Sequence, residues 1–259
     1  MGGAGQGDAG PGDVTGHRQL RFSPPPGACG VLLVRHGESA PARADRPFEL
    51  EGGHGDPPLH PDGRKQAERV AQRLAPEPIA AVYVSNLRRT AETATPLAAR
   101  LGLEPVVEPD LREVFLGDWE GGAYRRHAAE GHPLARAVLA EQRWDVIPGT
   151  ETNEALEARV AGAVGRIAAR HPDDLVAVFT HGGVIASALA RATGSRALAF
   201  VGADNASVSH LVVVGERWVL RVFNDTAHLG YGFGSAVQAR SQPQLGPMEH
   251  GWRRHPGVQ

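Results

Sequence analysis

The strongest constraint in this sequence is a pair of short, wholly apolar runs, Val31-Leu32-Leu33-Val34 and Leu175-Val176-Ala177-Val178-Phe179. Such runs have no polar alternation and therefore no face to give to water, so each reads as a strand buried on both sides, as in a parallel sheet. Ala81-Val82-Tyr83-Val84 is a further strand, and another is expected near Val106-Val107. Between the strands the apolar period changes from two to about 3.6. Ala67, Val70, Ala71 and Leu74 follow Pro61, a residue suited to the first helical position. Leu87, Ala91, Ala94, Ala98 and Leu101 define the next helix, closed by Gly102. Another helix is predicted from Tyr124 to about Glu141. Leu156, Val160, Ala163, Val164 and Ile167 mark one that ends near His171-Pro172, and Val184, Ile185, Ala188, Leu189 and Ala192 mark the last. Ser207 to Val214 and Trp218 to Phe223, joined through Gly215-Glu216, read as two closing strands. Alternation of this kind predicts an α/β fold, a three-layer α/β/α sandwich with a mostly parallel sheet, whose ligand binds beyond the carboxyl ends of the strands.

Residues 1–29 and 231–259 carry Gly and Pro without either hydrophobic period and read as flexible tails, leaving 30–230 as the folded unit. Cys29 is the single cysteine, so no internal disulfide forms and a reducing compartment, the cytoplasm, is expected. No stretch approaches the ~20 apolar residues of a membrane span. The net charge of −2 provides no field for nucleic acid or an anionic membrane. Oligomeric state has no signature in the sequence.

Both apolar runs end at chemistry. The first leads into Arg35-His36-Gly37-Glu38, the Leu175 run into Thr180-His181-Gly182-Gly183, and the Ala81 run into Ser85-Asn86-Leu87-Arg88-Arg89. Glycine after each histidine, Gly182 included, lets backbone approach a ligand closely, and N–H groups ahead of a helix suit an anion. Arginine's planar fork holds two phosphate oxygens and keeps its charge at any relevant pH. Histidines and arginines converging at the strand ends predict a phosphate pocket, in which a neutral imidazole attacks phosphorus. Glu113, in the irregular stretch Leu111 to Gly121, is the candidate acid for the leaving alcohol, with Asp118 and Glu120 as competing carboxylates.

These motifs, taken in order, resemble the histidine phosphatase superfamily that includes the cofactor-dependent phosphoglycerate mutases. The resemblance runs from about Val31 to Phe223 and rests on Leu33-Val34-Arg35-His36-Gly37-Glu38-Ser39, on Asp56-Pro57-Pro58-Leu59 with Gly63 and Gln66-Ala67, and on Ser85 to Arg89 with Thr93-Ala94. It continues through Leu111-Arg112-Glu113 with Gly117-Asp118-Trp119-Glu120-Gly121 and ends at Thr180-His181-Gly182-Gly183. It implies a phosphoglycerate mutase-like fold and a phosphoric monoester hydrolase of the histidine acid phosphatase type. By the same resemblance His36 becomes the phosphohistidine, Arg35, Arg89 and His181 bind the phosphoryl group, Glu113 donates the leaving-group proton, and no metal or other cofactor is needed. Asn205 matches a weaker position near the site. The partner implied is a small-molecule phosphate ester.

The match has departures. Many members place an asparagine shortly after the first motif, where this chain has Ala40-Pro41-Ala42, and the loop onward to Asp56 is longer than usual. Arg46 and His54 are the candidates for the missing polar contact. Leu116 to Gly121 resembles the phosphatase branch, and the basic, tyrosine-containing pattern of the mutases is absent after Glu113. Mutase-type transfer and a non-catalytic phospho-ligand module stand as the alternatives. Arg88 competes with Arg89 for the pocket. His127 and His132 are expected on the solvated surface, His250 and His255 in the tail, and Trp119 in the core.

Overall fold

The structure, a computed structural model, describes residues 19–232. Most of both expected tails, including His250 and His255, lies outside the described residues. Residues 19–28 are irregular, with Leu20 exposed and the Phe22 ring lying 3.9 Å beneath the Arg221 guanidinium.

The chain begins its regular structure with β1 (Cys29–Arg35), then a two-stranded ribbon of β2 (Leu50–Glu51) and β3 (His54–Gly55). There follow α1 (Pro61–Leu74), β4 (Ile79–Val84), α2 (Arg88–Leu101) and β5 (Val106–Val107). Two short 3-10 turns, Pro109–Leu111 and Gly117–Trp119, lead to α3 (Ala123–Ala129) and α4 (Pro133–Glu141). The chain continues through α5 (Asn153–Arg170), β6 (Leu175–Thr180), α6 (Gly182–Thr193), β7 (Val208–Val214) and β8 (Arg217–Asp225). The main sheet has the order β5-β4-β6-β1-β7-β8. Its first four strands are mutually parallel, and β7 and β8 form an antiparallel hairpin at one edge. The sandwich and its mostly parallel sheet are those predicted.

The two apolar faces of the strands explain the three layers. Val31 and Leu33 of β1, with Val176 and Val178 of β6, face Leu156, Val160 and Val164 of α5 and Ile185 and Leu189 of α6. The alternate residues Leu32, Val34, Ala177 and Phe179 face Val70 and Leu74 of α1 and Ala94 and Leu97 of α2. Every residue of β6 after the first is therefore buried, which is why the sequence shows no polar alternation there.

The single helix predicted from Tyr124 to Glu141 is two helices. Gly131 takes a left-handed conformation (φ 68°), and Pro133, which has no N–H to give to a continuing helix, occupies the first turn of α4. Among the described residues no helix is long and apolar enough to cross a membrane.

The loop leaving β1 is locked against the start of α1 through two glycines. A Cβ on Gly37 would lie 2.5 Å from the Gly63 carbonyl oxygen, and one on Gly63 would drive into the Glu38 carbonyl. Gly63→Ala is expected to destabilise the protein by about 1–3 kcal/mol in urea unfolding, because backbone rather than a flexible side chain must move. A variant as stable as the parent would mean the loop yields freely.

Candidate active site

Register brings the two histidines together. β1 pairs with β6 so that Arg35 lies opposite Thr180, and the His36 N–H donates to the Thr180 carbonyl at 2.9 Å. One residue beyond each strand, the His36 and His181 rings meet edge to face with centroids 5.2 Å apart. Both rings are buried. β4 flanks β6 on the other side and delivers Ser85, whose hydroxyl lies 2.8 Å from His181 Nε2.

His36 Nδ1 lies 2.7 Å from the Gly37 carbonyl oxygen. A carbonyl only accepts, so the proton resides on Nδ1 and Nε2 is left with its lone pair. Burial, then the charges of Arg89 and Arg35, hold the His36 pKa well below the usual 6.5, so the ring is neutral at physiological pH. His181 is lowered in the same sense by burial and Arg89. The end of β1 is held from the far side by residues before β7. Asn205 Nδ2 donates to the His36 carbonyl at 2.9 Å and the Ala206 N–H to the Arg35 carbonyl at 3.0 Å.

Arg35, His36, Arg89 and Glu113 line one cavity of about 210 Å³, walled by Phe48, Trp119, Tyr124 and Trp144. Arg89 is buried, donating to the Gly55 carbonyl at 2.9 Å, with Asp56 3.8 Å away. Its neighbour Arg88 lies on an adjacent surface groove, with its backbone N–H donating to Asp56 and its guanidinium 3.8 Å from Glu92. Arg35 donates to the Ala203 carbonyl. Among the described residues Arg35 Nε, Arg89 Nε and His181 Nδ1 are buried without a hydrogen-bond partner. Gly182 opens α6 beside the Arg35 guanidinium.

The three carboxylates of the 113–120 stretch differ in what they have left to offer. Glu120 spends one oxygen on the Leu116 N–H (2.9 Å) and the other on the Gly55 N–H (2.7 Å). Asp118 is exposed and outside the cavity. Glu113 accepts from Val114 and Gly183 N–H through Oε1 alone, both at 3.0 Å, leaving Oε2 uncommitted. The Gly183 contact needs glycine, since a Cβ there would sit 2.6 Å from Glu113 Oε1. The backbone around Glu113 is stapled from α5. Arg159 donates to the carbonyls of Asp110, Arg112 and Glu113 at 2.7–2.9 Å and forms a two-point ion pair with Glu151.

The structure corrects one of the two expectations for the loop 40–56. Arg46 is exposed and lies on the neighbouring groove, not in the cavity. Phe48 explains this, because its N–H donates to the Gly121 carbonyl at 3.0 Å and its ring turns inward as a cavity wall, leaving Arg46 on the outer side. His54 does line the cavity, buried against Phe115. The cation that sequence reasoning missed is Arg125 of α3, which donates to Ser39 Oγ at 2.7 Å and the Ala40 carbonyl at 3.2 Å. Its only signal was a basic pair, Arg125-Arg126, in a stretch without readable period. His127 and His132 are not free surface residues either. Both are half-buried around Trp119, with ring centroids 4.5 and 5.0 Å from it.

The chain is similar to known proteins over most of its described length. The model of the histidine phosphatase superfamily (branch 1) matches residues 31–226. Phosphoglycerate mutase-like protein 4 of Arabidopsis thaliana is 39% identical over 204 residues, covering 77% of this chain and 86% of that protein. A metal-independent phosphoserine phosphatase of the same plant is 34% identical, covering 77% and 82%. The solved structure of a mycobacterial glucosyl-3-phosphoglycerate phosphatase superposes with a TM-score of 0.64 at 28% identity, covering 77% of this chain and all of that one.

Two outcomes are expected of this site. First, a histidine with a lowered folded pKa is protonated more readily in the unfolded chain. Stability is therefore intact above about pH 6.5 and is lost as pH falls below it toward the folded value. Each such group adds a slope of up to about 1.4 kcal/mol per pH unit. Urea unfolding should show the midpoint falling with acid, and His181→Gln should flatten the slope; an unchanged slope would remove His181 from this account. Second, Arg159→Met breaks a nearly buried ion pair and should cost about 3–5 kcal/mol in unfolding and lower kcat by loosening Glu113.

Proposed function

The chain belongs to the histidine phosphatase superfamily, and on that premise we propose that it is a phosphatase hydrolysing small phosphate monoesters through a phosphohistidine on His36. One observation carries the reading. The nitrogen of a neutral imidazole, His36 Nε2, keeps its lone pair in a cavity lined by Arg35 and Arg89 because Nδ1 is committed to Gly37.

In the first step Nε2 forms the N–P bond as the P–O ester bond breaks, and the leaving oxygen takes the proton of Glu113. In the second, water attacks phosphorus and gives its proton to the Glu113 carboxylate. The N–P bond breaks, inorganic phosphate leaves and the Nε2 lone pair is restored. The Gly37 carbonyl supports the cationic phosphoimidazole through Nδ1–H in between. Arg35 Nε, Arg89 Nε and His181 Nδ1 are donors that suit the equatorial oxygens. His181 can donate from Nδ1 when Ser85 donates to its Nε2. Asn205, with its amide already on the His36 carbonyl, acts on the nucleophile's position, and Gly182 brings the start of α6 to the Arg35 end. No step uses a metal, and a relative named for metal independence supports this. The phosphatase names among the relatives favour water over a second hydroxyl as the acceptor.

Phosphate release from a panel of monoesters in EDTA tests the proposal. His36→Ala should abolish release, and Glu113→Gln should lower kcat/KM for alkyl phosphates by about 10²–10⁴-fold but far less for p-nitrophenyl phosphate, whose leaving group needs no proton. EDTA-sensitive release would overturn the metal-free mechanism, and equal losses on both ester types would remove Glu113 as the acid. Phosphate that moves to another alcohol without release would instead identify a mutase.

A further inference from the structure

Resting on the reading of this site as a phosphatase, we propose that His228 is a positioning residue of the reaction, which fixes the backbone of the nucleophile His36 from outside the cavity through the left-handed turn at Ala206. The N–H of its ring nitrogen Nε2 is the group that acts.

Ala206 is wholly buried and has φ 59°, a left-handed conformation that a residue with a Cβ enters at a cost and keeps only where its neighbours hold it. In that conformation the turn aims two donors at the end of β1. The Ala206 N–H donates to the Arg35 carbonyl at 3.0 Å and reaches the His36 carbonyl at 3.3 Å, and the Asn205 side chain donates to the same His36 carbonyl at 2.9 Å. The Arg35 guanidinium returns a hydrogen bond to the Ala203 carbonyl. The backbone that carries the nucleophile and a cavity arginine is therefore set by where this turn lies.

Two side chains from the last part of the fold hold the turn. Asn224, near the end of β8, accepts from the Asp204 N–H at 2.7 Å and donates to the Asp204 carboxylate at 2.9 Å. His228, in the 3-10 turn Ala227–Leu229, has Nε2 2.9 Å from the Ala206 carbonyl. A carbonyl only accepts, so Nε2 carries the proton. Nδ1 is buried without a hydrogen-bond partner, so among the described residues the imidazole makes one hydrogen bond, the one to Ala206. Burial holds its pKa below the usual 6.5, which keeps the ring neutral and in this tautomer at physiological pH. The ring is anchored in turn through its neighbour. Leu229 is buried in one apolar cluster with Val70 and Leu74 of α1, and its carbonyl accepts from Arg69 of α1 at 2.9 Å. His228 thus connects a helix packed on the sheet to the turn that grips the nucleophile, and it does so without lining the cavity.

Attack needs His36 Nε2 in line with the breaking P–O bond. The His36 ring is tied through Nδ1 to the adjacent Gly37 carbonyl, so a shift of the backbone carries the lone pair with it. A misplacement of about 1 Å costs on the order of 10²-fold in rate. The cost falls on phosphoryl transfer more than on binding, since neither residues 203–206 nor His228 line the cavity that receives the ester.

The test follows phosphohistidine formation from an alkyl phosphate in single turnovers on the parent, His228→Phe, His228→Asn and His228→Gln, with the folded fraction of each taken from urea unfolding. Phenylalanine keeps a ring without a donor, asparagine carries an amide too short to reach Ala206, and glutamine carries one at about the reach of Nε2. His228→Phe and His228→Asn should slow the saturated rate about 10–100-fold while the half-saturating ester concentration stays within about threefold of the parent, and His228→Gln should recover most of the loss. A folded His228→Phe or His228→Asn that reacts at the parent rate overturns the assignment. An equal loss in His228→Gln, or a loss confined to half-saturation, does so as well. Glycine takes the left-handed turn unaided, so Ala206→Gly combined with His228→Phe should react faster than the product of the two single effects; simple additivity overturns action through Ala206. A parent that forms no phosphohistidine on His36 overturns the phosphatase reading itself, and this assignment with it.

Discussion

The site depends on one pairing, the parallel register that sets Arg35 of β1 opposite Thr180 of β6. Because β6 is inserted between β1 and β4, three loops that are distant in sequence leave the sheet at one edge, side by side. A slip of one residue would exchange the two faces of β1, sending Val31 and Leu33 toward α1 and α2 and separating His36 from His181. Burial on both faces prevents the slip, so the same apolar packing that stabilises the sheet also aligns the histidines. The helices contribute through their starts, with α6 presenting Gly183 to Glu113 and α2 presenting Arg89.

Charge in the cavity is balanced by assignment. Burial and the arginines keep His36 and His181 neutral. Glu120 ties the β3 strand to the 113–120 stretch, and its charge acts on Arg89 together with those of Glu113 and Asp56. Glu113 retains a free oxygen because the helix start and Arg159 hold it through Oε1 and its backbone. The lone cysteine has no part in this. Cys29 is buried at the start of β1, where burial and then Asp174 push its thiol up to about 11, an unreactive state.

The segments that roof the cavity behave as one unit. Phe48 from the loop after β1 packs on the backbone of Gly121 and Gly122, Arg125 pins Ser39 and Ala40, and Arg126 donates to the Arg43 carbonyl at 3.0 Å. The loop is thus seated on α3, and the mouth of the site is shaped jointly by two stretches some eighty residues apart in sequence.

By itself the sequence determined the layers and the edge where chemistry gathers. Unbroken apolar runs such as Leu175 to Phe179 have only one way to escape water, and His-Gly pairs at their ends mark where the chain leaves the sheet. Arg35, His36 and His181 stood out as candidates for that reason, and the helix beginning at Pro61 through its apolar period, whereas Arg89 and Glu113 were singled out by the family resemblance, with Arg88, Asp118 and Glu120 open beside them. What lay in long irregular stretches was not. Only the tertiary structure broke the 124–141 helix at Gly131, placed Arg46 outside the cavity and brought Arg125 in. It also left Glu113, alone of the two carboxylates lining the cavity, with an uncommitted oxygen. Periodicity reports which face of a regular element avoids water, whereas the partner of a polar side chain in a loop is set by whichever distant backbone group folds beside it.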